Sequence, residues 1–197
     1  MNSQEKKRII IGITGASGAI YGQALLKKID QLKSQVEEAA VIFSENGLKV
    51  WKYELSYEPV VPDWMKVFDA TNIDAAPASG SAGYTHMLIC PCSMATLGRI
   101  ANGISNDLMT RAADVMLKER RNLVLVTREM PLSLIHIRNM ETITLAGGII
   151  CPASPSFYSR DFTFDAVVNT VVEKALLLCG FEVDSFRWGE EKYPVEN

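Results

Sequence analysis

Residues 87–129 read MLICPCSMATLGRIANGISNDLMTRAADVMLKERRNLVLVTRE, and this stretch decides the predicted fold. It opens with an apolar run that breaks at Pro91, continues with helical periodicity through a basic block ending at Arg121, and closes on a second apolar run before Arg128 and Glu129. Two short apolar runs joined by a helical segment are typical of a parallel βαβ unit. Two strand ends and a cationic helix make the stretch a candidate site for a planar, phosphorylated ligand.

The whole chain repeats this alternation. Strands are predicted at 8–14, 39–43, 86–90, 123–127 and 148–151, and helices at about 19–34, 44–53, 93–119, 132–146 and 164–178. Residues 54–83 are irregular and rich in proline and small residues, which predicts a functional loop or an assembly contact. We therefore predict one domain over residues 1–197, with an α/β fold. The expected sheet is doubly wound, parallel and Rossmann- or flavodoxin-like, with helices on both faces.

Composition limits the function. The chain has 197 residues, 48% hydrophobic and 22% charged, and its formal net charge of −3 argues against nucleic-acid binding. No apolar run reaches the length of about 20 residues that spans a bilayer, so no membrane role is predicted. Four cysteines without a signal peptide favour the cytoplasm. Cys90-x-Cys92 has no second pair of ligands beside it, so we predict buried thiols and no metal.

Unusual residues follow several predicted strands directly. Ligands of doubly wound sheets bind beyond the carboxyl ends of the strands, so these residues are expected to share one crevice. They are Gly15-Ala16-Ser17, Ser44, Cys92-Ser93 and Arg128-Glu129.

The spacing Gly12-x-x-Gly15-x-x-Gly18 indicates a tight turn that presents backbone N–H groups to a phosphate or a ring, although close strand–helix packing is an alternative. It is neither the dinucleotide G-x-G-x-x-G pattern nor a Walker loop, and Ser44 follows the strand where an NAD site usually has a carboxylate. These differences from the NAD-binding pattern favour a mononucleotide such as FMN over NAD. A serine nucleophile at Ser17 would need a downstream histidine, and His136 is predicted to pack or cap a helix instead.

The basic residues have two interpretations. Arg111 and Lys118 are seven residues apart and therefore lie on the same side of the helix. They either bind a ligand or form part of a solvent-exposed helix face. Arg120 and Arg121 point elsewhere and are expected to make surface contacts. Arg128-Glu129 combines a phosphate-binding cation with a proton-transferring carboxylate, the alternative being a surface ion pair. Tyr158 either reaches a phosphate or packs.

Eight segments together resemble the flavin prenyltransferases of the UbiX type. They are GITGASGA (12–19), PASGS (77–81), CPCS (90–93), RAAD (111–114), LKERR (117–121), RE (128–129), FY (157–158) and RWGE (187–190). The resemblance covers nearly the whole chain and is weakest over 55–76. It implies a metal-independent enzyme that joins the dimethylallyl group of dimethylallyl phosphate to N5 and C6 of reduced FMN. The prenylated FMN then serves a UbiD-type decarboxylase.

The resemblance also implies residue roles. The catalytic set is Ser17, Glu54, Lys118 and Glu129. FMN is held by Gly15, Ala16, Ser17, Ser44, Ser93, Met94, Ala95, Thr96, Arg111 and Arg128. The substrate contacts Ser79, Gly80, Ser81, Lys118, Arg128, Tyr158, Lys174 and Trp188. Members form homododecamers with sites between subunits, so the tail at about 180–197 is expected to pack on a neighbour. Lys174 stands where several members have arginine, so the grip on phosphate or the substrate preference is expected to differ.

Two rival functions remain open. An FMN-dependent decarboxylase of aromatic or cysteinyl acids would be expected to bring a histidine to the flavin, and neither His86 nor His136 has an obvious place there. A non-enzymatic flavin carrier would not need the cluster of phosphate-binding residues Lys118, Arg128, Tyr158 and Lys174.

Overall fold

The structure is a computed structural model that describes residues 6–186. It contains six strands and six α-helices within this range. The strands are β1 (Lys7–Ile13), β2 (Val36–Phe43), β3 (Lys66–Phe68), β4 (His86–Cys92), β5 (Asn122–Thr127) and β6 (Ile149–Ile150). The helices are α1 (Ala19–Gln31), α2 (Glu45–Leu55), α3 (Met94–Ala101), α4 (Leu108–Lys118), α5 (Leu134–Leu145) and α6 (Phe164–Leu178).

The strands form one parallel sheet in the order β3-β2-β1-β4-β5-β6. The predicted doubly wound α/β sheet is therefore confirmed. This order matches the Rossmann arrangement, in which the chain reverses direction across the sheet between β1 and β4. The crevice at that reversal point, beyond the carboxyl ends of β1 and β4, is where such folds bind ligands.

The core has two layers because the central strands are buried on both faces. Along β1, Ile9, Ile11 and Ile13 pack on the face covered by α1 and α6, while Ile10 points to the face covered by α3, α4 and α5. This is the period of two that a strand imposes on its side chains. The apolar runs that looked continuous in the sequence reflect burial on both sides.

Two features differ from the predicted elements. The edge strand β3 lies within the stretch that was expected to be irregular. It is only three residues long, and Lys66 and Val67 are exposed, so its sequence shows no alternation of apolar and polar residues. Strand β4 does not break at Pro91 but runs on to Cys92 through a cis Cys90–Pro91 peptide bond. The ladder to β5 shifts register between Ile89 and Cys92, and proline is tolerated in a strand at such irregularities.

No helix in residues 6–186 has the length and apolar character needed to cross a membrane.

Candidate functional site

Thr14 joins the two central strands at the reversal point. Its hydroxyl donates to the Pro91 carbonyl at 2.7 Å and accepts from the Ser93 N–H at 2.8 Å. The end of β1 is thereby fixed to the turn that starts α3. Thr14 is only 2% exposed, and the sequence had placed it inside a strand without a role.

The loop from Gly15 to Gly18 lies in tight contact with its neighbours. A Cβ atom on Gly15 would come within 2.6 Å of Asn46 Cβ, which leaves no space for a side chain against α2. Gly18 has a φ of 113°, which favours glycine. A Cβ on Gly18 would meet Tyr21 Cδ2 at 2.9 Å and Arg128 Cδ at 3.0 Å. The glycine spacing therefore serves close packing of the loop, and its presentation of N–H groups to a ligand stays a prediction.

Glu54 binds the start of α1. Its carboxylate accepts from the N–H groups of Gly18 at 2.9 Å and Ala19 at 2.8 Å, and it also interacts with the Ser17 hydroxyl. Burial acts to raise the pKa of Glu54, but the hydrogen bonds from Ser17, Gly18 and Ala19 and the charge of Arg128 together hold that pKa below its ordinary value. The site thus contains an ionised carboxylate hydrogen-bonded to a hydroxyl.

Two serines cap helices that begin at the same edge of the sheet. Ser44 Oγ accepts from the Gly47 N–H at 3.0 Å, and Ser93 Oγ accepts from the Thr96 N–H at 3.2 Å. Met94 and Thr96 are buried, whereas Ala95 is exposed. Helix N-termini present unsatisfied N–H groups and a positive dipole end, so α2 and α3 offer places for the phosphate of a nucleotide.

Arg128 reaches the glycine loop from the end of β5. The aliphatic part of its side chain lies over Gly18, and its backbone N–H donates to the Cys92 carbonyl at 3.4 Å. Burial raises the pKa of Tyr21, while the nearby charge of Arg128 acts in the opposite direction. Glu129 is exposed and accepts from the Met130 N–H at 3.1 Å. The structure thus brings together Ser17, Glu54 and Arg128, with Glu129 adjacent.

Lys118 lies at the opposite edge of the sheet. It precedes β5 and Arg128 follows it, and six residues of strand at about 3.3 Å each separate the two by roughly 20 Å. Lys118 Nζ forms an ion pair with Glu119 Oε1 at 2.6 Å. Within one chain, Lys118 and Arg128 therefore cannot bind the same small phosphate.

The loop of residues 79–84 lies beside Lys118. Arg121 donates to the carbonyls of Gly80 at 2.8 Å and Tyr84 at 2.9 Å, so its expected role in surface contacts is wrong. Ser79, Gly80, Ser81 and Lys118 are thus grouped at the amino edge of the sheet. Arg111, in the first turn of α4, pairs with Asp114 at 2.9 Å.

Tyr158 and Lys174 line a third region, a cavity of about 570 Å³ at the carboxyl end of β6. Its wall includes Cys151, and the Tyr158 ring stacks on Phe186 with 6.3 Å between ring centroids. The segment after β6 is tied to β5 through the Ala153 N–H, which donates to the Thr127 carbonyl at 2.8 Å. The cavity therefore lies on the same edge as Arg128. Trp188, the remaining predicted substrate residue, lies outside the described residues.

The thiols and histidines lie away from the crevice or serve the fold. All four cysteines are free and buried, and burial raises the pKa of Cys92 to about 12. Within residues 6–186, no group of three or more His, Cys, Asp or Glu side chains is arranged to hold a metal. His136 caps α5 by accepting from the Ser133 N–H at 3.3 Å, as the sequence indicated, and His86 begins β4 at the amino edge.

Comparisons with known proteins agree with this geometry. The family model described as Flavoprotein matches residues 1–176. A flavin prenyltransferase UbiX from Methanothermobacter thermautotrophicus is 40% identical over 183 residues, covering 92% of this chain and 94% of the relative. The crystal structure of AnUbiX (PadA1) in complex with FMN and dimethylallyl pyrophosphate superposes with a TM-score of 0.87 at 39% identity, covering 93% and 98% of the two chains.

A second solved structure is described as a dodecameric FMN-dependent UbiX-like decarboxylase from Escherichia coli O157:H7. It has a TM-score of 0.83 at 36% identity and covers 91% of this chain and 98% of its own. The sheet order, the glycine loop at the reversal point and these relatives lead to one conclusion. The chain belongs to the UbiX-type flavin prenyltransferase family.

Proposed function

We propose that the chain transfers the dimethylallyl group of dimethylallyl phosphate to N5 and C6 of reduced FMN, without a metal. The observation that carries this proposal is the arrangement of Ser17, Glu54 and Arg128 around the glycine loop, at the ligand-binding edge of the sheet. A relative with the same fold binds FMN and dimethylallyl pyrophosphate together, which supports both ligands.

The described residues fit FMN. The serine-capped starts of α2 and α3 offer N–H groups to its phosphate, with Ser44 and Ser93–Thr96 contributing, and Gly15-Ala16-Ser17 offers a surface without bulky side chains to its ring. Reduced FMN supplies the nucleophilic N5 and C6 positions. Arg128 is proposed to contact the ring or the departing phosphate, and Arg111 is the remaining proposed FMN residue.

Ser17 and Glu54 are the proposed proton acceptors. Bond formation at N5 must release one, and the Ser17 hydroxyl already interacts with the Glu54 carboxylate. Since hydrogen bonds hold the pKa of Glu54 low, this carboxylate is ionised at neutral pH and accepts the proton through Ser17. Glu129, at the end of β5, is the proposed acid near the phosphate.

The departing phosphate needs fixed cations, because the chain has to neutralise its charge with side chains alone. Arg128, Tyr158 and Lys174 lie at one edge of the sheet, and Lys118 with Ser79–Ser81 lies at the other. We propose that these groups meet at an interface between subunits. Trp188 and the tail beyond the described residues are proposed to complete the site from a neighbour. The expected tail was too long, because Phe181 and Val183 are buried in the core of their own chain.

Helix α5 supports assembly. Leu134, Ile135 and Ile137 are 60%, 70% and 50% exposed, an apolar surface that another protein surface would bury favourably. A dodecameric relative makes copies of this chain the proposed partners, in a homododecamer. We also propose a cytoplasmic location and a UbiD-type decarboxylase as the recipient of prenylated FMN, with no nucleic-acid or membrane partner.

The decisive experiment is anaerobic incubation with reduced FMN and dimethylallyl phosphate, followed by mass spectrometry of the flavin. We expect a product heavier by one C5 unit with the mono- or the diphosphate donor. An unchanged flavin mass with both donors would refute the proposal. Lys118→Ala is expected to retain FMN and lose turnover, whereas Lys66→Ala removes an ion-paired lysine on the edge strand and is the matched control.

A decarboxylase is the second candidate, because one relative is described as an FMN-dependent decarboxylase. It predicts release of CO₂ from an aromatic or cysteinyl acid by the chain and FMN alone. His86 begins β4 at the amino edge, away from the crevice, and His136 is engaged in capping α5, which argues against it. A flavin carrier would bind FMN without changing its mass.

A further inference from the structure

Arg121 connects the 79–84 loop to the end of α4. One guanidinium nitrogen donates to the Gly80 carbonyl at 2.8 Å and another to the Tyr84 carbonyl at 2.9 Å. The side chain is only 22% exposed. A planar fork that binds two carbonyls four residues apart fixes both the position and the orientation of the segment between them.

The same guanidinium also faces Glu119. Arg121 Nη2 lies 3.9 Å from Glu119 Oε2, while Glu119 Oε1 holds Lys118 Nζ at 2.6 Å. The Glu119 carboxylate also lies against Gly80, because a Cβ on that glycine would come within 2.7 Å of Glu119 Oε1. Contacts therefore run from the loop through Arg121 and Glu119 to Lys118.

We propose that Arg121 is a positioning residue that holds Ser79–Ser81 and Lys118 together as one phosphate-binding unit. The inference rests on the proposed function, in which this unit receives the phosphate of the prenyl donor. Arg121 does not itself touch the donor. It fixes the loop backbone on one side and Glu119 on the other, so that Lys118 and the two serines keep a constant separation.

The position of Gly80 supports this arrangement. The loop approaches Glu119 so closely that glycine is the residue that fits without displacing the carboxylate. Ser79 Oγ and Ser81 Oγ lie 2.8 Å apart on either side of Gly80, which aligns two hydroxyls on the segment that Arg121 holds. Two hydroxyls and an ammonium group at fixed positions are suitable donors for a phosphate.

The test compares Arg121→Ala with Arg121→Lys and Gly80→Ala. For Arg121→Ala we expect the KM for dimethylallyl phosphate to rise about tenfold, the equivalent of losing one or two hydrogen bonds. FMN affinity should be unchanged, since Gly80, Tyr84 and Glu119, which Arg121 contacts, are not proposed FMN residues. Arg121→Lys reaches one carbonyl at most and should give an intermediate KM. In Gly80→Ala the added Cβ atom displaces the Glu119 carboxylate from the side of the loop, so the KM for dimethylallyl phosphate should rise as well.

Arg120→Ala is the matched control, because it removes a neighbouring exposed arginine and should leave the KM unchanged. If KM is unaltered in Arg121→Ala, or if FMN affinity and KM worsen in parallel with the loss of thermal stability, the positioning role is wrong. Failure of the proposed function is seen separately, as a wild-type protein that makes no C5-flavin. In that case, calorimetric titration with inorganic phosphate still tests the unit, and equal binding by the wild type and Arg121→Ala would overturn it.

Discussion

Replacing Glu54 with glutamine tests the polar centre of the site. The wild-type carboxylate accepts two backbone N–H groups at the start of α1 and interacts with the Ser17 hydroxyl. Glutamine keeps the side-chain length and one acceptor oxygen. Its NH₂ group is a donor, however, and cannot accept a hydrogen bond from the donor group that it faces. The change therefore removes the charge and at least one hydrogen bond without creating a cavity.

The expected cost follows from those contacts. A hydrogen bond to a charged group contributes about 1.5–3 kcal/mol, and exposure of Glu54 reduces this, so the free energy of unfolding should fall by ~1–2 kcal/mol at pH 7. Because the folded state lowers the pKa of Glu54, its contribution is present above the unfolded pKa of about 4.3 and is lost as pH falls further through the folded value. The difference between wild type and Glu54→Gln should shrink as the pH falls below about 4.3.

Two assays measure these effects. Urea unfolding of both proteins from pH 7 to pH 3.5 gives the stability difference, and single-turnover formation of the C5-flavin gives the chemical rate. We expect that rate to fall by about 10²–10⁴, the usual contribution of a general base. A stability difference that stays constant across this pH range would refute the assignment of an ionised Glu54, and an unchanged rate would refute its role as proton acceptor.

Two further substitutions test the surrounding structure. Thr14→Val removes the hydroxyl that joins Pro91 and Ser93, so the free energy of unfolding should fall by about 1–3 kcal/mol and FMN affinity should weaken. Thr142→Val, on the exposed face of α5, is the control and should change the free energy of unfolding by less than ~0.5 kcal/mol. Equal effects of the two in urea unfolding would contradict the role of Thr14. Ser56 ends α2 at a φ of 64°, so Ser56→Gly should raise the melting temperature through a gain of about 0.5–1 kcal/mol, and a lower melting temperature would contradict this explanation.

The sheet could be predicted because short apolar runs alternate along the chain with segments of helical periodicity. Helix α6 was predicted with its observed ends, and β1, β2 and β5 within three residues. Strand β3 was missed because three residues, two of them exposed, contain no periodic signal. The passage of β4 through Pro91 depends on a register shift visible only in the ladder. Local pattern thus specified the buried elements and failed where tertiary pairing decides the structure.

The site residues likewise divide into those that sheet topology predicts and those that depend on distant partners. Residues that follow buried strands, such as Ser17 and Arg128, could be placed in the crevice because the topology of a parallel sheet dictates where strand ends lie. Thr14 and Arg121 were missed, since their importance comes from partners 77 and about 40 residues away. A threonine inside an apolar run and an arginine in a basic block give no local sign of such partners.

Lys118 and Arg128 show why closeness in sequence can mislead. They are ten residues apart and looked like one phosphate site, yet β5 runs between them and places them at opposite edges of the sheet. A strand of six residues separates its ends by about 20 Å, whereas a phosphate group is contacted within about 3 Å. If both residues serve the same donor, as proposed, they must come from different subunits. Dilution below the assembly threshold should then abolish prenyl transfer while leaving each fold intact, because the separation is imposed by the strand itself.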